Sequence, residues 1–159
     1  MIKVNVIAMG KLKEKYLSEA VKEYSKRLSR YADFTVLELE PVKLSDKPSQ
    51  AEITSALQKE SELIFKKIPQ SSFVCALCVE GKPLSSEDLA LKVKELSGVG
   101  KNITFIIGSS YGLSENVKKS ADLRLSISAM TFPHQLFRVM LLEQIYRAFK
   151  INEGSTYHK

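Results

Sequence analysis

Five short strand-like runs alternate along the chain with segments of helical periodicity, and this alternation constrains the fold more than any other feature. Each run has the length of a single strand, and most end near a glycine or proline. The runs are Ile2–Met9, Phe34–Leu39, Ser72–Val79, Asn102–Ile107 and Asp122–Ile127. Strands that alternate with helices favour a parallel sheet covered on both faces. The sequence therefore predicts a single α/β domain over residues 1–159, a three-layer sandwich with a mainly parallel sheet.

Local signals set the expected boundaries of the helices. Three serines occupy N-cap positions before helical segments, and the first two have an acidic residue three positions later; they are Ser49, Ser85 and Ser114. Pro133 is expected in the first turn of the last helix. Gly81 and Pro83 are expected to turn the chain after the third strand.

Composition excludes several classes of protein. Hydrophobic residues make up 44% of the chain and charged residues 26%, which is typical of a globular protein. No apolar stretch reaches the roughly 18 residues of a membrane span. The N-terminus is too short and strand-like for a signal peptide. We therefore expect a cytoplasmic protein with no membrane partner.

The net charge of +6 is a modest argument for a polyanionic partner. Basic residues are concentrated in Lys11–Arg30, where seven lysines and arginines face three glutamates. A solvated helix face explains this segment equally well. The charge permits RNA binding but does not establish it.

Cys75 and Cys78 form a C-x-x-C pattern inside an apolar run. Residues i and i+3 of a strand project from opposite faces, so these thiols are not placed to share a metal or a disulfide. The chain has only two histidines. We expect structural cysteines and no metal site.

The last helix, over Pro133–Phe149, is apolar around nearly its whole circumference. A helix that is apolar on all sides is buried on all sides. A domain of 159 residues would leave one side in solvent unless a second molecule covered it. This pattern predicts a homodimer built around the helix; the alternative is a helix sunk in the core of its own chain.

Two irregular segments that follow strands are the candidate binding loops. Gly108–Ser114 offers close backbone approach at two glycines, but it is neither a dinucleotide fingerprint nor a P-loop. The mostly apolar Ile127–Phe132 has main-chain groups suited to a flat ring such as adenine. Each pattern alone also fits a plain connection. Nearby, His134 is expected to be structural, with the helix dipole disfavouring its charged form. Arg147 is placed for an ion pair with Glu143.

Taken together, several segments resemble one family. These segments are VIAMGKLKEKYL at Val6–Leu17, IIGSSYGL at Ile106–Leu113, MTFPHQLFRVMLLEQIYRAFKI at Met130–Ile151 and the terminal Tyr-His-Lys. The full chain is similar to the RlmH (YbeA-like) family of small SPOUT-class methyltransferases. The resemblance implies homodimers that use S-adenosylmethionine to methylate N3 of a pseudouridine in 23S rRNA, within the large subunit or 70S ribosome. It also implies a deep C-terminal trefoil knot, a feature nearly absent from other proteins.

The resemblance also assigns site residues. It places the cofactor at Leu77, Gly108, Ile127, Ser128, Ala129, Met130, Thr131 and Phe132. The functional residues it implies are Arg147, Tyr157 and His158. Arg147 would stabilise a developing ring anion or bind phosphate, and the tail residues would close over the base, from the same or the partner subunit. The chain departs from the family at Ser109, where many members have glycine.

Three other functions remain open. A SPOUT enzyme could act on a different RNA. A non-catalytic RNA-binding or ribosome-assembly factor would need only the positive charge and would not bind the cofactor. A flavodoxin-like nucleotide binder would have a site independent of dimerisation.

Overall fold

The computed structural model describes all residues from Met1 to Lys159, and strands and helices alternate strictly along the chain. The elements are β1 (Lys3–Met9), α1 (Lys15–Leu28), β2 (Asp33–Leu39), α2 (Gln50–Lys67), β3 (Phe73–Pro83), α3 (Ser86–Gly98), β4 (Ile103–Ile107), α4 (Glu115–Ser120), β5 (Leu123–Ser126) and α5 (His134–Asn152). No helix combines the length and apolarity needed to cross a membrane.

The five strands form one sheet in the order β2-β1-β4-β3-β5, and every neighbouring pair is parallel. This confirms the predicted α/β fold with its parallel sheet. Because all strands run in the same direction, their carboxyl ends meet along one edge. That edge is where open α/β sheets bind ligands.

Helices cover both faces of the sheet and create two apolar clusters. The larger cluster lies under α1, α3 and α5, and the smaller one under α2 and α4. In β1, Val4 and Val6 face the larger cluster, whereas Ile7 and Met9 face the smaller. Successive side chains of a strand point to opposite faces. Burial on both faces therefore explains why the predicted third and fourth strands are nearly continuous apolar runs.

The third strand is longer than predicted, and the prediction of a turn at Gly81 and Pro83 is wrong. β3 continues to Pro83, and both Leu77 and Lys82 pair with Leu125, so the intervening residues form a large bulge. A Cβ at Gly81 would lie 2.8 Å from backbone atoms of Arg124. The absence of a side chain lets the bulge lie directly against β5.

The predicted N-caps are confirmed. The side chains of Ser49, Ser85 and Ser114 each accept a hydrogen bond from the backbone three residues on, and Ser49 with Glu52 forms a complete capping box. Pro133 differs slightly from the expectation, since it is the N-cap residue of α5 rather than part of its first turn.

One face of α5 is buried in the core of its own chain, through Leu141, Leu142, Ile145 and Ala148. The side of α5 that carries Leu136, Val139 and Met140 is not fully covered, and Leu136 is 39% exposed. The homodimer stays a prediction. Its expected interface is this second, incompletely covered face of α5.

Candidate functional site

A cleft of about 470 Å³ opens at the carboxyl ends of β3, β4 and β5. Its volume lies within the range of about 300–1,000 Å³ that is typical of small-molecule sites. The residues of the predicted cofactor set that line it are Leu77, Gly108, Ile127, Ser128, Met130, Thr131 and Phe132. Ala129, predicted with them, is exposed and does not line the cleft. Seven of the eight residues that the resemblance assigns to the cofactor therefore share one cavity, called the donor cleft below.

Gly108 begins the tight turn that forms one wall of the donor cleft. The backbone N–H of Gly112 donates to the carbonyl of Ser109 over 2.8 Å, which closes the turn. A Cβ at Gly108 would lie 2.2 Å from the Gly112 carbonyl oxygen. No side chain fits in that space, so the turn requires glycine at position 108.

The opposite wall is the irregular segment 127–132. None of its residues takes part in the backbone–backbone hydrogen bonds that lie outside helices and strands. Inside the segment, Ser128 Oγ accepts from the N–H of Met130 over 2.9 Å. The hydroxyl of Ser126 donates to the Ser128 carbonyl over 3.2 Å. The other main-chain donors and acceptors of the segment have no partner within the chain, and such groups beside apolar side chains suit a heterocyclic ring. The donor set of this wall therefore fits the adenosyl part of S-adenosylmethionine.

An ion pair that the sequence analysis missed lies on the rim of the donor cleft. Lys118 Nζ is 2.5 Å from the carboxylate of Glu80, and both residues line the cavity. The hydrogen bond from Lys118 lowers the pKa of Glu80. Glu80 belongs to the β3 bulge. The sequence did not indicate that it lies beside the cleft, because the predicted strand ended at Val79.

His134 lies where the donor cleft meets a second cleft, of about 530 Å³, at the ends of β1 and β2. The pKa of His134 is lowered, chiefly by burial and further by the positive charges of Arg138 and Lys13. The predicted direction is confirmed, although burial rather than the helix dipole is the main cause. The sequence predicted a purely structural role for His134. In the structure, His134 also lines both clefts.

Arg138 fixes the start of α5 to the sheet. It is 1% exposed, and its guanidinium donates to Glu38 Oε2 over 2.6 Å and to the Gly10 carbonyl over 2.9 Å. A buried charge needs partners of this kind. The pair joins residues 100 positions apart, so no local sequence pattern indicates it.

The three predicted catalytic residues are brought together because the C-terminal tail, residues Ser155–Lys159, folds against α5. Arg147 donates to Glu143 Oε1 over 2.8 Å, which confirms the expected ion pair. The hydroxyl of Tyr157 lies 3.0 Å from Glu143 Oε2, and its ring lies under the guanidinium, 4.8 Å from Arg147 Cζ. We call Glu87, Glu143, Arg147, Tyr157 and His158 the tail cluster.

The contacts of His158 define its tautomer. Arg147 Nη1 lies 3.1 Å from Nδ1, and because a guanidinium only donates, Nδ1 accepts. Nε2 then carries the hydrogen that it donates to Glu87 over 2.7 Å. Burial and the hydrogen bond to Glu143 raise the pKa of Tyr157, so its phenol is neutral. The cluster therefore presents two neutral polar rings, the guanidinium of Arg147 and the carboxylates of Glu87 and Glu143, the second of which is paired with Arg147.

The tail cluster and the donor cleft are separate within one chain. Arg147 follows His134 by 13 residues on α5. At 1.5 Å per residue the two lie about 20 Å apart along the helix axis. No member of the tail cluster lines the donor cleft.

The cysteines belong to β3 and are not paired with each other. Cys75 is buried in the larger apolar cluster, and burial raises the pKa of its thiol. Cys78 is half-buried and lines the donor cleft. No group of three or more metal-binding side chains occurs in the structure.

Comparison with known proteins connects this arrangement to one family. The family described as "Predicted SPOUT methyltransferase" matches residues 2–158. A protein from Streptococcus suis named ribosomal RNA large subunit methyltransferase H is 48% identical over 159 residues, covering 99% of this chain and 100% of that protein. A protein from Clostridium perfringens named ribosomal RNA large subunit methyltransferase H 1 is 49% identical over 157 residues, covering 98% and 99%.

Solved structures support the fold. A chain described as a "probable methylase family protein" from Haemophilus influenzae Rd KW20 superposes with a TM-score of 0.53 and 13% sequence identity. The match covers 99% of the present chain and 70% of the other. At this identity the likeness concerns the fold alone.

Proposed function

This chain belongs to the SPOUT methyltransferase family, and from that premise we propose that it methylates N3 of a pseudouridine in 23S rRNA with S-adenosylmethionine as donor. The observation that carries the proposal is the donor cleft. It joins Gly108 and the segment 127–132, which are separate in sequence, with a donor set that fits an adenosyl group. Relatives of nearly equal length that are named for methylation of large-subunit rRNA support the class of substrate.

The surface charge is consistent with an RNA substrate. Five basic residues of the segment 11–30 are exposed and take part in none of the ion pairs; these residues are Lys11, Lys13, Lys22, Lys26 and Arg30. Phosphate contacts by lysine and arginine supply much of the affinity for nucleic acid. In line with the family resemblance, we place part of the recognition in the assembled large subunit or 70S ribosome.

Methylation would form a bond between N3 and the methyl carbon as the bond between that carbon and sulfur breaks, with a neutral thioether as the leaving group, and the N3 proton would pass to solvent water. The bound donor supplies a methyl group already activated by the sulfonium charge. Loss of the N3 proton leaves negative charge on the ring, and we assign the stabilisation of that charge to the guanidinium of Arg147, which Glu143 holds in position. The neutral rings of Tyr157 and His158 hold the base in position, and positioning contributes much of the rate.

The separation of about 20 Å along α5 means that the tail cluster does not reach the donor cleft of its own chain. In the proposed homodimer, the tail cluster of one protomer acts at the donor cleft of its partner. The incompletely covered face of α5, with Leu136 and Met140, lies between the two sites on the helix and would form the contact. Each active site is then shared between two copies of the chain.

Arg147→Ala tests the role of the cation. The substitution should abolish methylation and leave the affinity for S-adenosylmethionine within about twofold, because Arg147 does not line the donor cleft. Methyl transfer to ribosomes and calorimetric titration measure the two properties. Undiminished methylation by the variant would remove Arg147 from the mechanism.

Mass spectrometry of 23S rRNA from cells with and without this protein tests the reaction. One pseudouridine should lose its methyl group when the protein is absent and regain it when the gene is restored. An unchanged modification pattern would contradict the proposed substrate. Saturable binding of S-adenosylmethionine without any change in 23S rRNA would indicate a SPOUT enzyme for another RNA, and no binding would indicate an RNA-binding factor.

A further inference from the structure

Glu60 is a buried acid that the mechanism above does not use. It lies on α2 and is only 3% exposed. One carboxylate oxygen accepts a hydrogen bond from the hydroxyl of Ser109 over 2.9 Å, and the other accepts from the N–H of Val42 over 2.9 Å. A carboxylate removed from water is costly unless its oxygens are paired. Both oxygens of Glu60 are paired, which fixes the orientation of the carboxylate.

The partner of Glu60 belongs to the wall of the donor cleft. Ser109 follows Gly108 directly, and its carbonyl accepts the hydrogen bond that closes the turn at Gly112. The side-chain hydroxyl of Ser109 therefore connects the turn to α2, a long helix on the smaller apolar cluster. The bond from Val42 holds the carboxylate from its other side, so Glu60 is not free to follow a moving turn.

We propose that Glu60 is a positioning residue for the methyl donor, acting through the Ser109 hydroxyl to hold the Gly108–Gly112 turn in the shape that the donor binds. This inference rests on the proposed function, since it assigns the donor to that cleft. A turn that is already ordered loses less conformational freedom when a ligand binds, and the ligand then binds more tightly. A glycine at position 109, as the family resemblance would lead one to expect, could not make this bond.

Substitution at position 109 tests the bond directly. Ser109→Ala removes the hydroxyl and lets the unoccupied turn leave its ordered shape, so S-adenosylmethionine should bind about three- to tenfold more weakly, the upper figure being the limit set by one hydrogen bond to a charged group. Ser109→Thr keeps the hydroxyl and should restore the affinity to within about twofold. The rate at saturating donor should change little in either variant, so the defect should appear in the KM for the donor rather than in kcat.

Substitution at position 60 tests whether the carboxylate acts through Ser109. Glu60→Ala should weaken donor binding to the same extent as Ser109→Ala. Glu60→Gln should retain it, because the amide oxygen can accept from Val42 while the amide nitrogen donates to the serine hydroxyl. In a double-mutant cycle, the variant with both Ser109→Ala and Glu60→Ala should bind the donor about as weakly as either single variant.

Asn116→Ala is the matched control. It removes another side-chain bond to the same helix, from Asn116 to Gln58 over 2.9 Å, but it does not touch the turn. Donor affinity should remain at the wild-type value. Thermal unfolding of every variant shows which substitutions merely destabilise the fold.

The results separate this inference from the proposed function. Wild-type affinity in folded Ser109→Ala, or additive losses in the double-mutant cycle, would overturn the positioning role while leaving the methyltransferase assignment intact. Absence of S-adenosylmethionine binding by the wild-type protein would overturn both. If Glu60→Ala does not fold, the comparison of Ser109→Ala with Ser109→Thr decides alone.

Discussion

At the scale of single residues, the donor cleft depends on positions where a small steric or electrostatic change has a large effect. Gly108 has no room for a side chain, since the carbonyl oxygen of Gly112 occupies the place of its Cβ. His134 stands in the wall of the same cleft with two positive charges nearby. Substitution of Gly108 tests the steric constraint, and substitution of His134 tests the effect of protonation.

Gly108→Ala should displace the turn and abolish measurable binding of S-adenosylmethionine. A Cβ 2.2 Å from an oxygen atom forces the backbone to shift, and we expect a loss of about 1–3 kcal/mol in the free energy of unfolding. Gly98→Ala is the matched control, because a Cβ there meets nothing within 4 Å. Calorimetric titration and urea denaturation measure both effects; equal donor affinity in the two variants would contradict the tight turn.

His134 should make the folded protein less stable as the pH falls. Burial, Arg138 and Lys13 lower its pKa below 6.5, so in mildly acidic solution the unfolded chain binds a proton that the folded chain does not. The unfolded state is then favoured, and the free energy of unfolding decreases. Urea denaturation at neutral pH and at roughly pH 5.5 should show a smaller decrease for His134→Gln than for the wild type. Equal decreases would refute the shifted pKa.

At the scale of elements, α5 connects every part of the proposed mechanism. Its first residue lies in the wall of the donor cleft, its next turn is fixed to the sheet by Arg138, and its last turns carry Arg147. The placement of this one helix therefore sets the position of both the donor cleft and the tail cluster.

The pair of Glu38 and Arg138 should respond unequally to the loss of either partner. Glu38→Ala leaves a cation that is 1% exposed without its carboxylate, and we expect a cost of about 3 kcal/mol in the free energy of unfolding. Arg138→Met leaves Glu38, whose side chain is 36% exposed and can be hydrated; the expected cost is about 1 kcal/mol. Chemical denaturation measures both, and the reverse order would contradict this account.

The sequence predicted the elements well because both faces of the sheet are buried. That burial makes the first part of β3 and the whole of β4 nearly continuous apolar runs, which are visible in the local sequence. The end of β3 was missed because its bulge depends on pairing with Leu125, far along the chain. The tie between Glu60 and Ser109 joins residues 49 positions apart and leaves no local signal. Residue pattern alone indicated the two loops, Gly108–Ser114 and Ile127–Phe132, as candidates, although neither pattern is specific. Leu77 and the roles of the three predicted catalytic residues came only from family resemblance, because no local signal marks them.

At the scale of the whole molecule, the account requires two copies of the chain. The donor cleft and the tail cluster occupy opposite ends of α5, and the face with Leu136 and Met140 lies between them. The deep trefoil knot that the resemblance implies also stays a prediction. In a dimer formed through that face, each active site combines the donor cleft of one protomer with the tail of its partner.

A mixed dimer tests this claim most directly. Gly108→Ala should inactivate the donor cleft, and Arg147→Ala should inactivate the tail cluster, so each homodimer should be unable to methylate 23S rRNA. Coexpressed with different affinity tags and purified through both, the two variants should form a heterodimer with one intact shared site. The account predicts that this heterodimer regains methyl transfer to ribosomes, measured by mass spectrometry of the 23S rRNA. A heterodimer as inactive as its parents would show that cleft and tail act within one chain and would contradict the account.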